Sequence, residues 1–148
     1  MFSKFLERTN LAAAVLPVIT VGTATVNGIA IDRNGYISAG LAYIAGINPS
    51  VPTGFTVALK IQHSALSGSG YVDFITSIPT FGTAADLSAA SVAKYFDIDL
   101  TGAKQFVRVV ATLTFTGGAS PSAIWAAELV LGDKNVEPAG NSVVYLAD

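Results

Sequence analysis

Hydrophobic and polar residues alternate along most of this chain, most clearly between Phe96 and Gly118. In the second half of that stretch one set of alternate positions is apolar: Val107, Val109, Ala111, Leu113 and Phe115. The positions between them are mostly polar: Phe106, Arg108, Val110, Thr112, Thr114 and Thr116. A period of two is typical of a β-strand with one buried and one exposed face. The pattern therefore predicts a strand that borders the core of the fold.

The residues just before this strand follow the same rule. Two alternating sets precede it, namely Phe96, Ile98 and Leu100 against Asp97, Asp99 and Thr101. The sequence Thr-Gly-Ala-Lys at positions 101–104 separates the two runs and predicts a turn. We therefore expect a β-hairpin at the centre of an all-β domain.

Further strands are predicted before this hairpin. Residues 11–30 are apolar, β-branched and free of charge, which favours one or two strands, and residues 36–47 alternate again. One face of that second region carries Ile37, Ala39, Leu41, Tyr43 and Ala45. The other face carries mostly small residues, Ser38, Gly40, Ala42 and Gly46, together with Ile44. A face made of such small side chains lets another layer approach closely.

The remaining strands follow from the same alternation. Residues 55–62 turn one apolar face inward, made of Phe55, Val57, Leu59 and Ile61. Residues 71–75 predict a short strand that pairs with it as a hairpin, and Trp125, Ala127, Leu129 and Leu131 mark one side of a last strong strand. Residues 83–86 resemble a capping box and predict a short helix through Ala90, and the Ser and Ala content of residues 77–91 equally suits a long loop. Residues 143–146 predict an edge strand.

The first residues predict an arm. Phe2, Phe5 and Leu6 share one helical face, and a helix that short is not stable alone. We therefore expect residues 1–12 to form an N-terminal arm docked on the body or on a neighbouring subunit. Residues 13–148 would form one domain, with about seven to nine antiparallel strands in a β-sandwich or jelly-roll-like barrel.

Composition adds that the surface is unusual. Only 12% of the 148 residues are charged and 51% are hydrophobic, with a mean hydropathy of +0.56, whereas ordinary domains are about 25% charged. Large apolar surfaces generally mark interfaces, so we expect other subunits to cover much of this one. A net charge of −2 gives no basic surface for nucleic acid, and the absence of cysteine excludes disulfides and thiolate sites.

No targeting or membrane segment is expected. Lys4 and Arg8 precede an apolar run and loosely imitate a signal peptide. Glu7 stands inside the would-be basic region, and Pro17 interrupts the apolar run. That run is also shorter than the roughly 20 residues that a helix needs to cross a bilayer.

Candidate chemistry is sparse. His63 is the only histidine, and a hydrogen-bonded surface histidine is its simplest interpretation. Asp97 and Asp99 share one strand face and offer oxygen ligands for Ca²⁺, but the clustered loop of a calcium motif is missing, so no metal site is predicted. Nothing brings Asp73 and Glu128 together as a glycosidase pair. Residues 67–70 are glycine-rich without the following Lys-Ser/Thr of a phosphate-binding loop. We predict no enzyme and no cofactor.

Partner contacts have better candidates. Arg108 faces outward and would meet either an acidic partner or Asp97 or Asp99 across the hairpin. Trp125 is expected in the core. Including the arm, the predicted subunit or capsid contacts are Phe2, Phe5, Leu6, Arg8, Arg108, Thr112 and Thr114.

Two blocks resemble a known family. The first runs from Ile31 to Ser38 and continues in Phe55 to Ser64; the second runs from Ile98 to Val109 and continues in Phe115 to Gly118 and Leu129 to Gly132. Together they resemble the capsid decoration, or cement, proteins of tailed bacteriophages over roughly residues 31–133. The motifs consist of strand and turn residues. The loop after His63 is less acidic than that family suggests.

The resemblance implies a non-enzymatic virion protein on the outer capsid surface, made in the host cytoplasm. It would bind the major capsid protein and its own copies, often as trimers, without nucleic acid or membrane. The alternative is a tail, fibre or connector module that binds a receptor or carbohydrate, with Tyr71, Tyr95 and Tyr145 as candidate contacts.

Overall fold

The computed structural model describes residues 9–47, 52–82 and 91–134. Within those ranges the chain forms nine β-strands, which agrees with the expected seven to nine. They are β1 Asn10–Val21, β2 Ala24–Asn27, β3 Ile31–Asp32, β4 Tyr36–Ile47, β5 Gly54–Ser64, β6 Val72–Ile75, β7 Ser91–Asp99, β8 Phe106–Thr116 and β9 Ser122–Lys134. The all-β prediction is confirmed.

The strands form two antiparallel sheets that pack as a sandwich. The first sheet has the order β1-β9-β4-β7. The second has the order β2-β8-β5-β6, and the short strand β3 also pairs with β8. Each sheet turns one face toward the other, which explains the period of two in the sequence.

The core lies between the sheets and contains the predicted inward faces. Alternate residues of β4, β5, β8 and β9 are buried there, including Leu41, Val57, Val109 and Leu129. Trp125 is buried as predicted and stacks on Tyr43, with ring centroids 5.5 Å apart. Its indole Nε1 donates a hydrogen bond to Thr20 Oγ1 over 2.8 Å. This hydrogen bond joins β1 to β9, the neighbouring strand of the first sheet.

The predicted hairpin between residues 96 and 116 is wrong. β7 pairs with β4 in the first sheet, whereas β8 pairs with β2, β3 and β5 in the second. Residues 100–105 therefore cross from one sheet to the other. Alternation shows which face of a strand is buried, but two strands that face one core from opposite layers have the same pattern as two paired strands.

The turn inside this crossing is confirmed. Gly102 has a φ of 80°, a left-handed conformation that glycine adopts without strain. Asp99 Oδ1 accepts a hydrogen bond from the Thr101 backbone N–H at 2.8 Å, and the Ala103 N–H donates to the Leu100 carbonyl. Leu100 and Ala103 are buried, so the crossing contributes to the core.

Arg33 ties this crossing to the turn between β3 and β4. Its Nε donates to the carbonyl of Lys104 at 2.9 Å, its Nη1 donates to Tyr36, and its Nη2 donates to Ala103. The Arg33 backbone N–H also donates to the Gln105 carbonyl. The turn that contains Arg33 and residues 103–105 of the crossing therefore lie side by side, joined by these hydrogen bonds.

Some of the other predicted elements lie in the described ranges, and some lie outside them. The hairpin of β5 with β6 is confirmed. β1 begins at Asn10, so residues 10–12 of the expected arm lie in a strand that pairs with β9. The rest of the arm, the helix at 83–90 and the strand at 143–146 lie outside the described residues. The described ranges include no helix with the length and hydrophobicity needed to cross a membrane.

Candidate interaction surface

The outer face of the first sheet is unusually apolar. Of the ten large hydrophobic side chains that are exposed in the described ranges, seven belong to its four strands. We call this surface the apolar face. Its large members are Leu11, Leu16, Ile19 and Val21 of β1, Ile44 of β4, Tyr95 of β7 and Ile124 of β9. They are more than half exposed, and Tyr95 reaches 76%.

Strand register brings these side chains together. Ile19 lies opposite Ile124, and Ile124 lies opposite Gly46 on its other side. Ile44 lies between Ala126 and Ala93 in the same way. A shallow groove of about 480 Å³ runs through this region, and no charged residue lines it. Its lining residues are Pro17, Ile44, Ala45, Gly46, Ser91, Val92, Ala93, Ile124, Trp125 and Ala126.

Small residues keep this face flat. Gly40 lies on β4, and a side chain built there would meet no atom within 4 Å. Glycine in a strand interior weakens the strand, and close approach of another backbone is one reason for its presence. The packing of the single chain therefore gives no reason for the small residue at this position.

One end of the apolar face is acidic. Asp97, Asp99 and Glu128 are exposed there, with Asp97 opposite Gly40 and Glu128 opposite Ala42. The hydrogen bonds that Thr101 donates lower the pKa of Asp99. Across the described ranges, no cluster of three or more acidic, histidine or cysteine side chains could hold a metal ion.

A second groove, the edge groove, lies where the free edges of β6 and β7 meet. Its volume is about 610 Å³. It is lined by Phe74, Ile75, Ser77, Ile78, Pro79, Tyr95, Phe96, Asp97, Ile98, Asp99 and Thr101. Apolar side chains from both sheets meet the carboxylates of β7 in this groove, so it suits a ligand with apolar groups and positive charge.

The outer face of the second sheet carries three predicted contact residues, Arg108, Thr112 and Thr114, on alternate positions of β8. Thr114 is exposed, and Thr112 Oγ1 lies 2.8 Å from Thr25 Oγ1. The predicted pair of Arg108 with Asp97 or Asp99 is wrong, because those carboxylates lie on the other sheet. The role of the three residues as contacts stays a prediction.

Arg108 has partners on its own sheet. Its Nε and Nη2 both donate to Gln62 Oε1, at 2.9 and 2.7 Å. Its guanidinium lies 4.2 Å from the centre of the Tyr71 ring. Asp73 continues the network by accepting hydrogen bonds from Gln62 and Lys60, and these bonds lower its pKa.

His63 has a structural position, as its simplest interpretation predicted. Its Nδ1 accepts a hydrogen bond from the Lys104 N–H at 3.2 Å, and its ring stacks on Phe74. Asp73 and Glu128 lie on different sheets, so they do not form a carboxylate pair.

The other predicted contacts are dispersed or outside the described residues. Tyr71 donates a hydrogen bond to the Ser67 carbonyl and lies beside the second sheet, whereas Tyr95 belongs to the first. Tyr145 and the arm residues Phe2, Phe5, Leu6 and Arg8 lie outside the described residues.

The apolar face itself was not among the predicted contacts. Two sequence signals indicate it. β1 is apolar on both faces, unlike a strand with one solvated face, and the outward positions of β4 are nearly all small. Both are typical of strands that are covered on two sides.

Comparison with known proteins bears on the fold. No family model matches the chain, and no curated protein sequence matches it. Among solved structures, the Gx strain of infectious bursal disease virus matches with a TM-score of 0.59 at 12% identity, over 88% of this chain and 33% of that one. The VP2 subviral particle of the same virus matches with a TM-score of 0.50 at 12% identity, over 86% and 33%.

A weaker likeness is to the capsid of Helicobacter pylori bacteriophage KHP30, with a TM-score of 0.43 and 10% identity over 85% of this chain and 94% of that one. This chain spans 33% of the length of each of the two proteins from infectious bursal disease virus. The likeness to the two structures from infectious bursal disease virus concerns the fold alone, which is an antiparallel β-sandwich.

Proposed function

We propose that this chain is a non-enzymatic structural subunit of a phage virion, which decorates and stabilises an icosahedral capsid. It binds the major capsid protein and its own copies, as trimers on the outer surface. The observation that carries this proposal is the apolar face, where seven large side chains are exposed on one side of one sheet. A viral capsid-like fold supports it.

Exposed apolar area on this scale favours association. Each Å² of apolar surface removed from water contributes about 25 cal/mol, and specific interfaces bury about 800 Å² per partner. The apolar face carries few charges, so little of its own polar surface loses water when a partner docks. The low overall charge of 12% has the same explanation, because a covered surface needs fewer charged residues.

We assign the polar outer face of the second sheet to a second kind of contact. Arg108, Thr112 and Thr114 would meet a neighbouring subunit there through hydrogen bonds. Arg108 is already oriented by Gln62 and Tyr71, so less side-chain entropy is lost when a partner binds.

Cosedimentation tests the function. Purified protein is mixed with capsids of its virus that lack this chain, and the amount that pellets is measured against protein concentration. We expect saturable binding and a higher melting temperature of the capsid. Ile44→Asp on the apolar face should abolish binding, whereas Leu66→Asp on an exposed loop should bind like the wild type. Absence of binding by the wild-type protein would refute the capsid role.

A further inference from the structure

The edge groove combines an apolar floor with an acidic rim. Of its lining residues, Phe74, Ile75 and Ile78 are half-buried or buried, and we call them the floor; Asp97 and Asp99 are exposed, and we call them the rim. Within the described ranges β7 pairs with β4 alone, so the groove lies along a free sheet edge. It therefore fits a short peptide segment that has large apolar side chains and a positive charge.

We propose that residues 1–8 of the same chain occupy the edge groove. This segment contains Phe2, Phe5 and Leu6, and its two basic residues, Lys4 and Arg8, outnumber Glu7. The segment at the other end, residues 135–148, has two acidic residues and no basic one. The acidic rim would attract the first segment and repel the second.

Strand register places the start of β1 close enough to the edge groove for residues 1–8 to reach it. Asn10 lies opposite Leu131 on β9, Leu131 lies opposite Ala39 on β4, and Ala39 lies opposite Ile98 on β7. Three strand spacings of about 4.8 Å place β7 about 14 Å from β1. Eight extended residues span about 26 Å, so the segment reaches the groove of its own chain.

Tethering favours the same chain over a separate molecule. A segment that is tethered within reach of its site acts at an effective concentration in the millimolar range. Separate molecules in a dilute solution do not reach that concentration. Docking between separate molecules therefore does not compete with docking in the same chain.

The arm residues take different roles. Arg8 is too close to Asn10 to span the sheet, so Lys4 is the cation that meets Asp97 and Asp99. Phe2 and Phe5 lie on either side of Lys4 and pack on the apolar floor. The hydrogen bond from Thr101 holds the Asp99 carboxylate in place at the rim.

Cysteine crosslinking tests the site, because the natural chain has no cysteine. Ser3→Cys and Ser77→Cys are combined and treated with a short bismaleimide in dilute isolated protein. We expect rapid crosslinking within one chain, seen as a shifted monomer band in denaturing gels. The matched control combines Ser3→Cys with Thr56→Cys, which is exposed on the outer face of the second sheet, and it should crosslink slowly.

Charge reversal tests the pairing. Lys4→Glu should slow the Ser3–Ser77 crosslink by about threefold, the size of one exposed ion pair, and Asp97→Lys with Asp99→Lys should restore the rate. The control crosslink should not respond. Equal rates for the two cysteine pairs would overturn the proposal, as would crosslinking between chains only. This measurement uses the isolated protein, so its result does not depend on capsid binding.

Discussion

At the scale of single residues, Tyr43 is the least satisfied side chain in the core. Its ring packs against Trp125 and meets the edge of Phe81 at 5.2 Å. Its hydroxyl is buried without a hydrogen-bond partner among the described residues, and burial raises its pKa. A buried unpaired hydroxyl destabilises a fold because it loses its bond to water.

Tyr43→Phe should therefore raise the free energy of unfolding by about 1 kcal/mol, since it keeps both ring contacts and removes the unpaired group. Urea denaturation measures this change. Thr20→Val is the matched control, because it breaks the hydrogen bond of the Trp125 indole and should lower stability by about 1–3 kcal/mol. A loss of stability in Tyr43→Phe would show that the hydroxyl has a partner.

His63 makes stability depend on pH. Partial burial, followed by the nearby charges of Lys104 and Arg33, lowers its pKa in the folded state. The unfolded chain then binds a proton more readily than the folded chain. Stability from this group is present above the unfolded pKa of about 6.5 and is lost as the pH falls through the lowered folded value.

His63→Asn should flatten that dependence, because an amide oxygen can still accept the hydrogen bond from Lys104 without titrating. The free energy of unfolding is measured from about pH 7.5 to about pH 5 for both proteins, a range that includes the unfolded histidine pKa of about 6.5 and the lower values expected for the folded state. We expect the wild type to lose more stability than His63→Asn. Parallel curves would show that His63 does not contribute.

At the scale of elements, the crossing between β7 and β8 depends on Arg33. Three of its nitrogens donate to the carbonyls of Tyr36, Ala103 and Lys104. Arg33→Ala should lower the free energy of unfolding by about 2 kcal/mol, because it removes charged donors from carbonyls that the fold has already positioned. Thermal or urea unfolding measures the loss.

Two further variants separate geometry from charge. Arg33→Lys should recover less than half of the loss, because a single ammonium cannot reach carbonyls that the planar guanidinium spans. Lys104→Ala removes one positive charge at the same place but leaves the backbone carbonyl, and it should have little effect. An equal loss in Lys104→Ala would show that local charge matters more than these hydrogen bonds.

The sequence was sufficient for the strands and their buried faces, and insufficient for their partners. β4 and β8 were predicted because the alternation of apolar and polar residues can be seen within each strand's own sequence. The pairing of β7 with β4 was missed because it joins residues that are far apart in the chain. Arg33 could not be singled out, since its partners are backbone carbonyls, which have no signature in the sequence.

The candidate site was missed for a related reason. Polar residues of β8 were predicted as partner contacts, because one alternating face of that strand is clearly outward. The apolar face depends on three strands that are far apart in sequence, with Ile19, Ile44 and Ile124 meeting only through register. Low charge indicated a covered surface, but only the fold shows which surface is apolar.

At the scale of the whole molecule, the two sheets differ in what they offer a partner. The second sheet carries a polar outer network around Arg108, Gln62 and Asp73. The first exposes isoleucines and small residues, and its acidic end continues into the edge groove. A protein with one apolar and one polar outer face can make two kinds of contact.

Light scattering after size-exclusion chromatography tests whether the apolar face is an interface between copies of this chain. We expect the wild-type protein to be an oligomer. Ile44→Asp combined with Ile124→Asp should give monomers, because an unpaired charge buried in an interface costs about 3–5 kcal/mol. Leu66→Asp should remain oligomeric. Thr114→Asp places a charge on the outer face of the second sheet, so it shows whether that face also contributes to the oligomer. A monomeric wild type, or an oligomer unchanged by the double substitution, would show that the apolar face does not join copies of this chain.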